Sequence, residues 1–352
     1  MQKDNLNTDS NNEGAFGPFL VSIEDIRPHL LNPDLKEGLL VSLIQEMSMK
    51  FTKKRDQIGD YVLDENRVSA YTALYLPTNI PKLHFLLEKL SRDILNDLKN
   101  RPFIDVGCGP GTFSLGWSLL FNTPPKEVVT IDSSVVMLKQ AEKILRGFFP
   151  EINLRGDRKF SEKKSDSVLF FGHSINEMGT NRAEDMIATI DPEYVIFIEP
   201  GTSELFKDLK KLRTNLLEHY DVLYPCPSSA ACPSDWCHQV LRTSHSPEVE
   251  RLSQLVSLDR KILPMTAHVY RRKQNLQPQD PTVVRYINET KFSFEYEVCF
   301  FHEGENKNVI IEIQKKQLSK EQEKYFKNAN VGDKIQFEIE KQVGSKFRVR
   351  LL

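Results

Sequence analysis

The residues best suited to chemistry in this chain lie in a glycine-rich stretch that follows a short apolar run. Residues 103–106 form the run and include Asp105, and Gly107, Gly109 and Gly111 follow at every second position. Such a run predicts a buried parallel strand that ends at a tight turn. Glycine has no side chain and tolerates backbone angles closed to other residues, so a cofactor can lie against bare backbone. The helix expected after the turn would favour negative charge at the same place.

The spacing of the three glycines narrows the choice of cofactor. Dinucleotide-binding loops have the pattern G-x-G-x-x-G. This chain has D-x-G-x-G-x-G, which resembles the first motif of class I S-adenosylmethionine-dependent methyltransferases. A second apolar run, residues 127–131, ends at Asp132, and an acid at the tip of the second strand of a βαβ unit accepts hydrogen bonds from ribose hydroxyls. We predict that Asp105, the three glycines and Asp132 bind the cofactor. The alternative is an ordinary surface loop, with Asp132 as a helix N-cap.

Three of the five cysteines fall within one short stretch. They are Cys226, Cys232 and Cys237, and a proline follows each of the first two. Clustered cysteines in a reducing compartment more often bind metal or act in redox chemistry than pack as scattered hydrophobes. The gaps of five and four residues suit an iron–sulfur cluster better than the tight pairs typical of structural zinc sites. A fourth ligand is then needed: Cys299 is the candidate for iron–sulfur, and His238 is the competing candidate, which would favour zinc.

The glycine strand is predicted to belong to a doubly wound parallel sheet, because strands and helices alternate from this strand onward. Residues 167–171 and 194–199 are two further strands. Ligands of open α/β sheets bind at the carboxyl ends of the strands, where His173, Asn176 and Glu199 are placed. Each of these three could equally be a loop residue or a helix cap. No cysteine and no Ser–His pair stands out as a nucleophile, so no catalytic residue is assigned.

Helices are predicted on the amino-terminal side of the sheet. Residues 21–54 have a helical pattern, with Ser22 or Asp25 as the N-cap. Pro77 is expected to end a second helix, because proline lacks the N–H that the helix interior needs. An amphipathic helix over residues 80–98 is expected to lead directly into the glycine strand.

The carboxyl-terminal part of the chain changes character. A helix is predicted over residues 204–220, and residues 274–281 are predicted to be a linker. Apolar and polar residues then alternate in several short segments, which predicts a small β domain of barrel type. The alternating segments are residues 292–300, 309–313, 335–339 and 347–351, with a helix expected over 319–326. The predicted domains are a leader and helical module (residues 1–60), a methyltransferase-like domain that includes the cysteine stretch (61–275) and the small β domain (276–352).

Composition limits the class of protein. The 352 residues carry a formal net charge of −2, which excludes a wholly basic nucleic-acid coat. The chain has no apolar run of membrane-spanning length, and residues 1–14 contain no Arg and resemble no targeting signal. We therefore expect a cytoplasmic protein with a disordered leader and neither membrane nor DNA as partner. Residues 207–273 hold 11 Lys and Arg against 7 Asp and Glu and end in Arg271-Arg272-Lys273, a local surplus that hints at RNA phosphate contact.

Taken together, these motifs resemble the methyltransferase-like proteins of the mitochondrial small ribosomal subunit and their bacterial relatives. The resemblance covers about residues 61–333. It implies S-adenosylmethionine at the glycine loop and a [4Fe-4S] cluster on the four cysteines other than Cys108. It also implies a role in assembling or maturing the small ribosomal subunit on its rRNA. The chain departs from the family pattern at Ser228-Ser229, where the family tends to have His-Asp, and in the thin basic segment that retains Arg285 and Lys291. The matching stretches are residues 70–77, 105–111, 176–177, 199–201 and 225–238, and the strand that ends in Cys299.

Two functions fit the resemblance. The first is methyl transfer from S-adenosylmethionine to rRNA or a ribosomal protein, in which the enzyme mainly aligns the nucleophile with an already activated methyl group. The second is a non-catalytic assembly factor that binds the cofactor and RNA, with zinc in place of the iron–sulfur cluster.

Overall fold

A computed structural model of the chain describes residues 20–53 and 64–352. The predicted leader, residues 1–14, lies outside the described residues, as does the junction at residue 60 between the first two predicted domains. Across the described ranges, none of the helices is both long enough and apolar enough to cross a membrane.

Among the described residues, four α-helices precede the sheet. The first begins as predicted: Ser22 is its N-cap, and the Asp25 side chain accepts from the Ser22 N–H to complete a capping box. The others form a layer against the main sheet and its helices. These helices are α1 (Ile23–Ile26), α2 (Glu37–Lys53), α3 (Glu65–Leu87) and α4 (Arg92–Lys99).

The prediction that Pro77 ends a helix is wrong. Helix α3 continues through both Pro77 and Pro81 to Leu87. Proline in a helix interior costs about 3 kcal/mol, but α3 is buried along most of its length between α2, α5, α6 and β8. Tertiary packing therefore outweighs the local preference. The predicted helix over residues 80–98 is in fact divided, because α3 ends and a separate helix begins after the N-cap Ser91.

The main sheet has eight strands in the order β3-β2-β1-β4-β5-β8-β6, with β7 also paired to β8. Strands β1 to β5 are mutually parallel, and β8 runs antiparallel to β5, β6 and β7. A parallel sheet with one antiparallel strand inserted before its last member, and with helices on both faces, is the class I methyltransferase fold, as predicted. The strands are β1 (Phe103–Val106), β2 (Val128–Ile131), β3 (Leu154–Asp157), β4 (Val168–Gly172), β5 (Tyr194–Pro200), β6 (Tyr220–Tyr224), β7 (Gln239–Arg242) and β8 (Ile262–Arg272).

The alternation of side chains along the central strands builds two hydrophobic cores, one on each face of the sheet. In β1, Phe103 packs into one core and Ile104 into the other, and Phe170 and Phe171 of β4 divide in the same way. All four are fully buried. The helices that cover the sheet are α5 (Thr112–Leu120), α6 (Val135–Phe148), α7 (Ile175–Met178), α8 (Thr180–Ile190), α9 (Ser203–Leu216) and α10 (Pro247–Leu255).

The predicted helix over residues 204–220 is shorter than expected. Helix α9 ends at Leu216, and Tyr220 is already the first residue of β6, where it pairs with Arg272. A tyrosine-rich segment that fills a sheet position gains more from strand pairing and burial than from extending a solvated helix.

The carboxyl-terminal strands form a separate five-stranded sheet in the order β9-β10-β11-β13-β12. Strands β11 and β13 are parallel, and helix α11 lies between β11 and β12 in the chain. A bridge between Thr282 and Lys334 connects the first strand to the segment before the fourth and so closes the sheet on itself. This is the connectivity of an OB-fold, a five-stranded Greek-key barrel. The elements are β9 (Thr282–Glu289), β10 (Ser293–His302), β11 (Glu305–Gln314), α11 (Lys320–Asn328), β12 (Phe337–Val343) and β13 (Lys346–Leu351).

The barrel is held against the methyltransferase domain by specific polar contacts. Lys89 Nζ on the segment after α3 lies 2.5 Å from Asp333 Oδ1. Lys334 Nζ donates to the carbonyl of Pro225, and Thr282 Oγ1 donates to the same carbonyl at 2.8 Å. The cysteine stretch is therefore the segment on which the barrel rests.

Candidate cofactor site and cysteine cluster

The glycine loop joins β1 to α5 at the carboxyl edge of the sheet. The N–H groups of Gly107 and Cys108 both donate to the carbonyl of Ile131, at 2.8 and 3.0 Å, which ties the loop to the end of β2. Gly111 is the N-cap of α5, so the amino terminus of that helix faces the loop. The strand, turn and helix that the sequence predicts are therefore assembled in one place.

The three glycines have left-handed backbone angles, with φ of +68° at Gly107, +52° at Gly109 and +80° at Gly111. A side chain is costly in this region of backbone space. A Cβ at Gly107 would lie 2.4 Å from Cβ of Ser174, whereas a Cβ at Gly109 would meet no atom within 4 Å. Gly107 is thus required for packing, and the space in front of Gly109 is open.

The two predicted acids hold the loop. Asp132 accepts from the Gly109 N–H at 2.9 Å through one carboxylate oxygen and from the Ser134 N–H through the other. Asp105 is fully buried and accepts from both the N–H and the hydroxyl of Ser114. Burial raises the pKa of Asp105 to about 7 and also raises the pKa of Asp132. The helix N-cap next to Asp132 is Ser134, so the alternative role proposed for Asp132 is filled by another residue.

Glu199 anchors the loop that follows β4. It is fully buried, and its Oε1 accepts from the N–H groups of Ser174 and Ile175 at 2.9 and 2.8 Å. Burial raises its pKa to about 8. Since Ser174 also packs against Gly107, Glu199 positions the wall of the glycine loop. Asn176 is exposed at the first turn of α7, beside a cavity of about 210 Å³ between the ends of β4 and β5.

A feature that the sequence did not reveal is the contact between Lys82 on α3 and His173 after β4. Lys82 Nζ lies 2.8 Å from His173 Nε2, and Lys82 is only 3% exposed. His173 has a left-handed φ of +58° and stacks on Phe113 of α5. Backbone strain of this kind tends to persist at functional sites. The spacing of residues along the chain gives no signal for the pair, because 91 positions separate its members.

The pKa values of both members of this pair lie below their ordinary range. Burial, and then the nearby Arg260, lower the pKa of Lys82 well below its ordinary value, although Glu199 opposes the shift. Burial, then Lys82 and Arg260, lower the pKa of His173 in the same way. Arg260 itself is fixed by hydrogen bonds to Thr78 and Asn79 on α3. The carboxyl edge of the sheet therefore holds an amine next to an imidazole, and burial disfavours the charged form of each.

Three buried polar atoms near the glycine loop have no hydrogen-bond partner: Asp105 Oδ1, Ser174 Oγ and Glu199 Oε2. Unsatisfied polar atoms are rare in protein interiors, and each needs a reason. Together with the open space at Gly109 and the helix terminus at Gly111, they fit a polar nucleoside cofactor.

The four cysteines outside the glycine loop come together from two parts of the chain: three lie in the cysteine stretch, and Cys299 lies on β10 of the barrel. Burial raises the pKa of Cys299 to about 12, and the next contributions come from Cys226 and Cys232. The pKa of the Cys237 thiol is raised by burial and then by the other three cysteines. In the described part of the chain, no group of three or more His, Cys, Asp or Glu side chains is arranged to hold a metal ion as it stands. The cysteine side chains are therefore close to one another, but they are not arranged as the ligands of a metal ion.

Positive groups surround these cysteines. The Arg213 guanidinium, 2% exposed on α9, interacts with Cys226 and Cys232 and donates to the Ser228 and Ala230 carbonyls, while its Nε has no hydrogen-bond partner. The amine of Lys334 interacts with Cys226 and Cys299. Buried cations next to several thiols fit a group that is bound through thiolates, because each thiolate adds a negative charge.

The alternative ligand His238 is placed differently. Its ring stacks on Trp236 with centroids 4.4 Å apart, and Arg285 is the charged residue that affects its pKa. Cys108 is also separate, since its charged neighbours are Asp105 and Asp132 of the glycine loop. The residues that the structure brings together are the four cysteines of the iron–sulfur prediction.

Three arginines of the basic surplus over residues 207–273 are engaged within the protein. Arg271 forms ion pairs with Asp97 and Glu193 at 3.1 and 2.9 Å. Arg272 pairs with Asp191, and Arg213 is buried. These side chains fix the edge of the sheet, and a surface for RNA phosphates is not built from them.

Comparison with known proteins places the chain in a family. The model of the family described as "Mitochondrial small ribosomal subunit Rsm22" matches residues 65–336, so the chain belongs to this family. The family description names a mitochondrial ribosomal particle, whereas the sequence predicted a cytoplasmic protein. None of the curated proteins compared with the chain matches it.

Solved structures with similarity to the chain include several methyltransferases. Magnesium protoporphyrin IX methyltransferase from Synechocystis, with bound S-adenosylmethionine, has 12% identity and a TM-score of 0.37 over 66% of this chain and 97% of that chain. TrmK from M. capricolum, in complex with S-adenosylhomocysteine, has 10% identity and a TM-score of 0.32 over 54% and 73% of the two chains. Precorrin-6y C5,15-methyltransferase from Geobacter metallireducens has 13% identity and a TM-score of 0.34 over 50% and 84%.

Proposed function

We propose that this member of the Rsm22 family binds S-adenosylmethionine at the glycine loop and transfers its methyl group to rRNA or a protein of the small ribosomal subunit. The observation that carries the proposal is the open space at Gly109, framed by the Asp132 carboxylate and the amino terminus of α5. Asp105, Gly107, Gly109, Gly111 and Asp132 are the proposed cofactor-binding residues. The ribosomal partner is inferred from the family description.

The binding roles follow from the geometry of the loop. Asp132 follows β2 directly and has lone pairs left for ribose hydroxyls while it holds the Gly109 N–H. The unpartnered Oδ1 of Asp105 and Oε2 of Glu199 can accept from the amino group of the cofactor. Gly107 and Gly111 keep the loop thin enough for the cofactor to lie against the backbone.

Lys82 is the proposed proton acceptor. S-adenosylmethionine, when bound, supplies a methyl group already activated on a sulfonium. A nitrogen or oxygen nucleophile that takes this methyl must lose a proton, and an unprotonated amine can receive it. Burial lowers the pKa of Lys82, which favours the unprotonated amine, and His173 holds this amine through the 2.8 Å contact. The proton passes to Lys82 Nζ and forms an ammonium ion.

We propose further that Cys226, Cys232, Cys237 and Cys299 hold a [4Fe-4S] cluster. Their mutual proximity and the cations Arg213 and Lys334 support this set of ligands, of which Cys299 is buried and the other three are half-buried. The cluster would supply a covalent link between the cysteine stretch of the methyltransferase domain and strand β10 of the barrel. Its chemistry here is structural, because binding to the folded chain alone stabilises that state.

The competing function is a non-catalytic assembly factor that binds S-adenosylmethionine and RNA. The absence of any Ser, Cys or carboxylate arranged as a nucleophile among the described residues of the cofactor cleft is compatible with both functions, since methyl transfer needs no enzyme nucleophile. The family description names the mitochondrial small ribosomal subunit, and we propose that the chain acts in the same compartment as the ribosome to which it binds.

Methyl transfer from labelled S-adenosylmethionine to small subunits separates the two functions. The subunits are purified from a strain that lacks this protein, so that the acceptor is unmodified. If the protein is a methyltransferase, label should enter small subunits from the strain that lacks it. No label should enter small subunits from the wild-type strain, because their acceptor is already methylated. Cofactor binding without any transfer of label would instead assign the protein to the assembly factors.

A further inference from the structure

The OB-fold barrel carries a surface that the methyltransferase domain does not use. Four aromatic side chains of the described residues are conspicuously exposed, and three of them belong to the barrel. Phe292 is 72% exposed in the turn between β9 and β10, Tyr286 is 47% exposed on β9, and Tyr325 is 45% exposed on α11. Large exposed rings on a small domain mark an interaction surface.

The exposed rings are held in place by buried ones. Tyr286 packs edge-on against Tyr296 with centroids 5.6 Å apart, and Tyr296 packs on Phe326 at 6.1 Å. Tyr325 packs edge-on against the same Phe326 at 5.1 Å. The backbone carbonyl of Phe292 accepts from the Lys315 N–H at 2.8 Å, so the turn that carries it is joined to the end of β11. Tyr286 and Tyr325 are therefore preorganised through Tyr296 and Phe326, and Phe292 lies in the turn at the hairpin end of the barrel.

Positive charge accompanies the rings. The two segments that form the patch, residues 285–292 and 315–327, contain seven Lys and Arg against three Glu. Arg285, Lys315 and Lys327 form ion pairs with glutamates, so the surplus is carried by the other four cations, Lys291, Lys316, Lys320 and Lys324. The ammonium of Lys291 lies over the Phe292 ring at 5.7 Å from its centroid. Cations interleaved with exposed aromatic rings match a single-stranded nucleic acid, whose phosphates meet the cations while its bases stack on the rings.

The rest of the barrel surface explains why the patch lies at this end. In OB-folds the ligand face is centred on the second and third strands and the adjoining loops. Here the far half of that face is covered by the cysteine stretch: Asn306 of β11 binds Ser228 and Ala230, and Asn308 binds Ser234. The turn between the first two strands, which carries Phe292, remains open.

We propose that the aromatic–lysine patch of the barrel, formed by Tyr286, Lys291, Phe292 and Tyr325, binds single-stranded RNA. The inference rests on the proposed function in one respect, because the RNA is taken to be an unpaired segment of the small-subunit rRNA. Duplex RNA presents no free base faces to the rings and is bound mostly through its shape and backbone. The patch therefore selects unpaired over paired RNA.

The test is the affinity of the full chain for a fluorescently labelled 12-nucleotide oligouridine, a length within the range of about 4–16 nucleotides that one OB-fold covers. Phe292→Ala is expected to weaken binding about 5- to 150-fold, since one base stack is worth about 1–3 kcal/mol. Lys291→Gln is expected to reduce the slope of log affinity against log salt by about 0.7. Ile339→Ala, an exposed apolar change on β12 of the same barrel, is the matched control and should bind as the wild type does.

The outcomes separate this proposal from the proposed function. Preference for the oligouridine over a duplex of equal length, lost in Phe292→Ala, supports the patch. Wild-type protein that fails to bind the oligouridine, or equal affinity in Phe292→Ala and wild type, overturns it and assigns the rings to a protein contact. Calorimetry with S-adenosylmethionine is run on the same samples. Cofactor binding that fails while RNA binding persists would defeat the cofactor site and leave the patch standing.

Discussion

Replacing Lys82 by methionine removes the proposed proton acceptor with little change in shape. The amine lies 2.8 Å from His173 Nε2 inside the protein, and Lys82 is 3% exposed. Methionine keeps the unbranched apolar stem that packs in α3 and lacks the ionisable group. A well-placed general base contributes about 10²- to 10⁴-fold to a rate. We expect Lys82→Met to lower the rate of methyl transfer by that factor while affinity for S-adenosylmethionine is retained.

The same substitution should change the pH dependence of stability. Burial lowers the pKa of Lys82 in the folded protein, whereas a lysine in the unfolded chain titrates near about 10.4. Between these two values the unfolded chain binds more protons, so the free energy of unfolding of the wild type falls as pH decreases through that window. The methionine variant lacks this effect. Its Tm should therefore exceed that of the wild type near pH 7, and the difference should shrink toward pH 10.

Lys82→Arg provides the control for a merely structural role. Arginine can still donate to His173 but stays protonated and cannot accept a proton. A positioning role predicts that arginine rescues methyl transfer, and a proton-acceptor role predicts that both variants fail. The assay is single-turnover transfer of labelled methyl to small subunits, with calorimetry to confirm cofactor binding. Wild-type rates in Lys82→Met, or rescue by arginine, would refute the reasoning.

Three further predictions concern the glycine loop, the cysteines and the basic edge. Gly107→Ala should destabilise the fold by about 2–5 kcal/mol, from a left-handed backbone and from a serine side chain 2.4 Å away. Gly109→Arg should lower the free energy of unfolding by only about 1–2 kcal/mol. The variant should nevertheless give no calorimetric signal with S-adenosylmethionine, and wild-type affinity would place the cofactor site elsewhere. Anaerobically purified protein should be brown, with about four irons and four sulfides per chain. Cys299→Ser should lose the colour and make the segment after residue 274 protease-sensitive, whereas Cys108→Ser keeps both; stoichiometric zinc without sulfide would contradict the cluster. Neutralising Arg271 should lower Tm and leave RNA affinity unchanged, and the opposite pattern would return this edge to RNA binding.

The fold was predictable from the sequence where local signals and packing agree. The strands at residues 103–106 and 194–200 are continuous apolar runs, and a run buried on both faces needs no long-range information to be read as a strand. At Pro77 the local signal and the tertiary packing disagree. The local rule predicts the end of a helix, but α3 gains enough from burial on most sides to continue.

The candidate site was predictable only where its members share a short motif. The glycine loop and Asp132 lie within one βαβ unit, in which the ends of two neighbouring parallel strands meet. Their positions in the sequence were therefore enough to predict that they are close in space. Lys82 and His173 are joined only by the packing of α3 on the sheet, and no motif records that distance. The acidic partners of Arg271 are likewise remote in sequence. The sequence therefore showed a basic segment and gave no sign that its charge is neutralised by ion pairs.

Titration of the wild-type chain with S-adenosylmethionine in a calorimeter tests the central claim most directly, because every proposed step begins at the glycine loop. The geometry of the loop predicts saturable binding of one cofactor per chain, competed by S-adenosylhomocysteine. The absence of any heat or competition with folded, anaerobically purified protein would contradict a cofactor site on Gly107, Gly109 and Gly111.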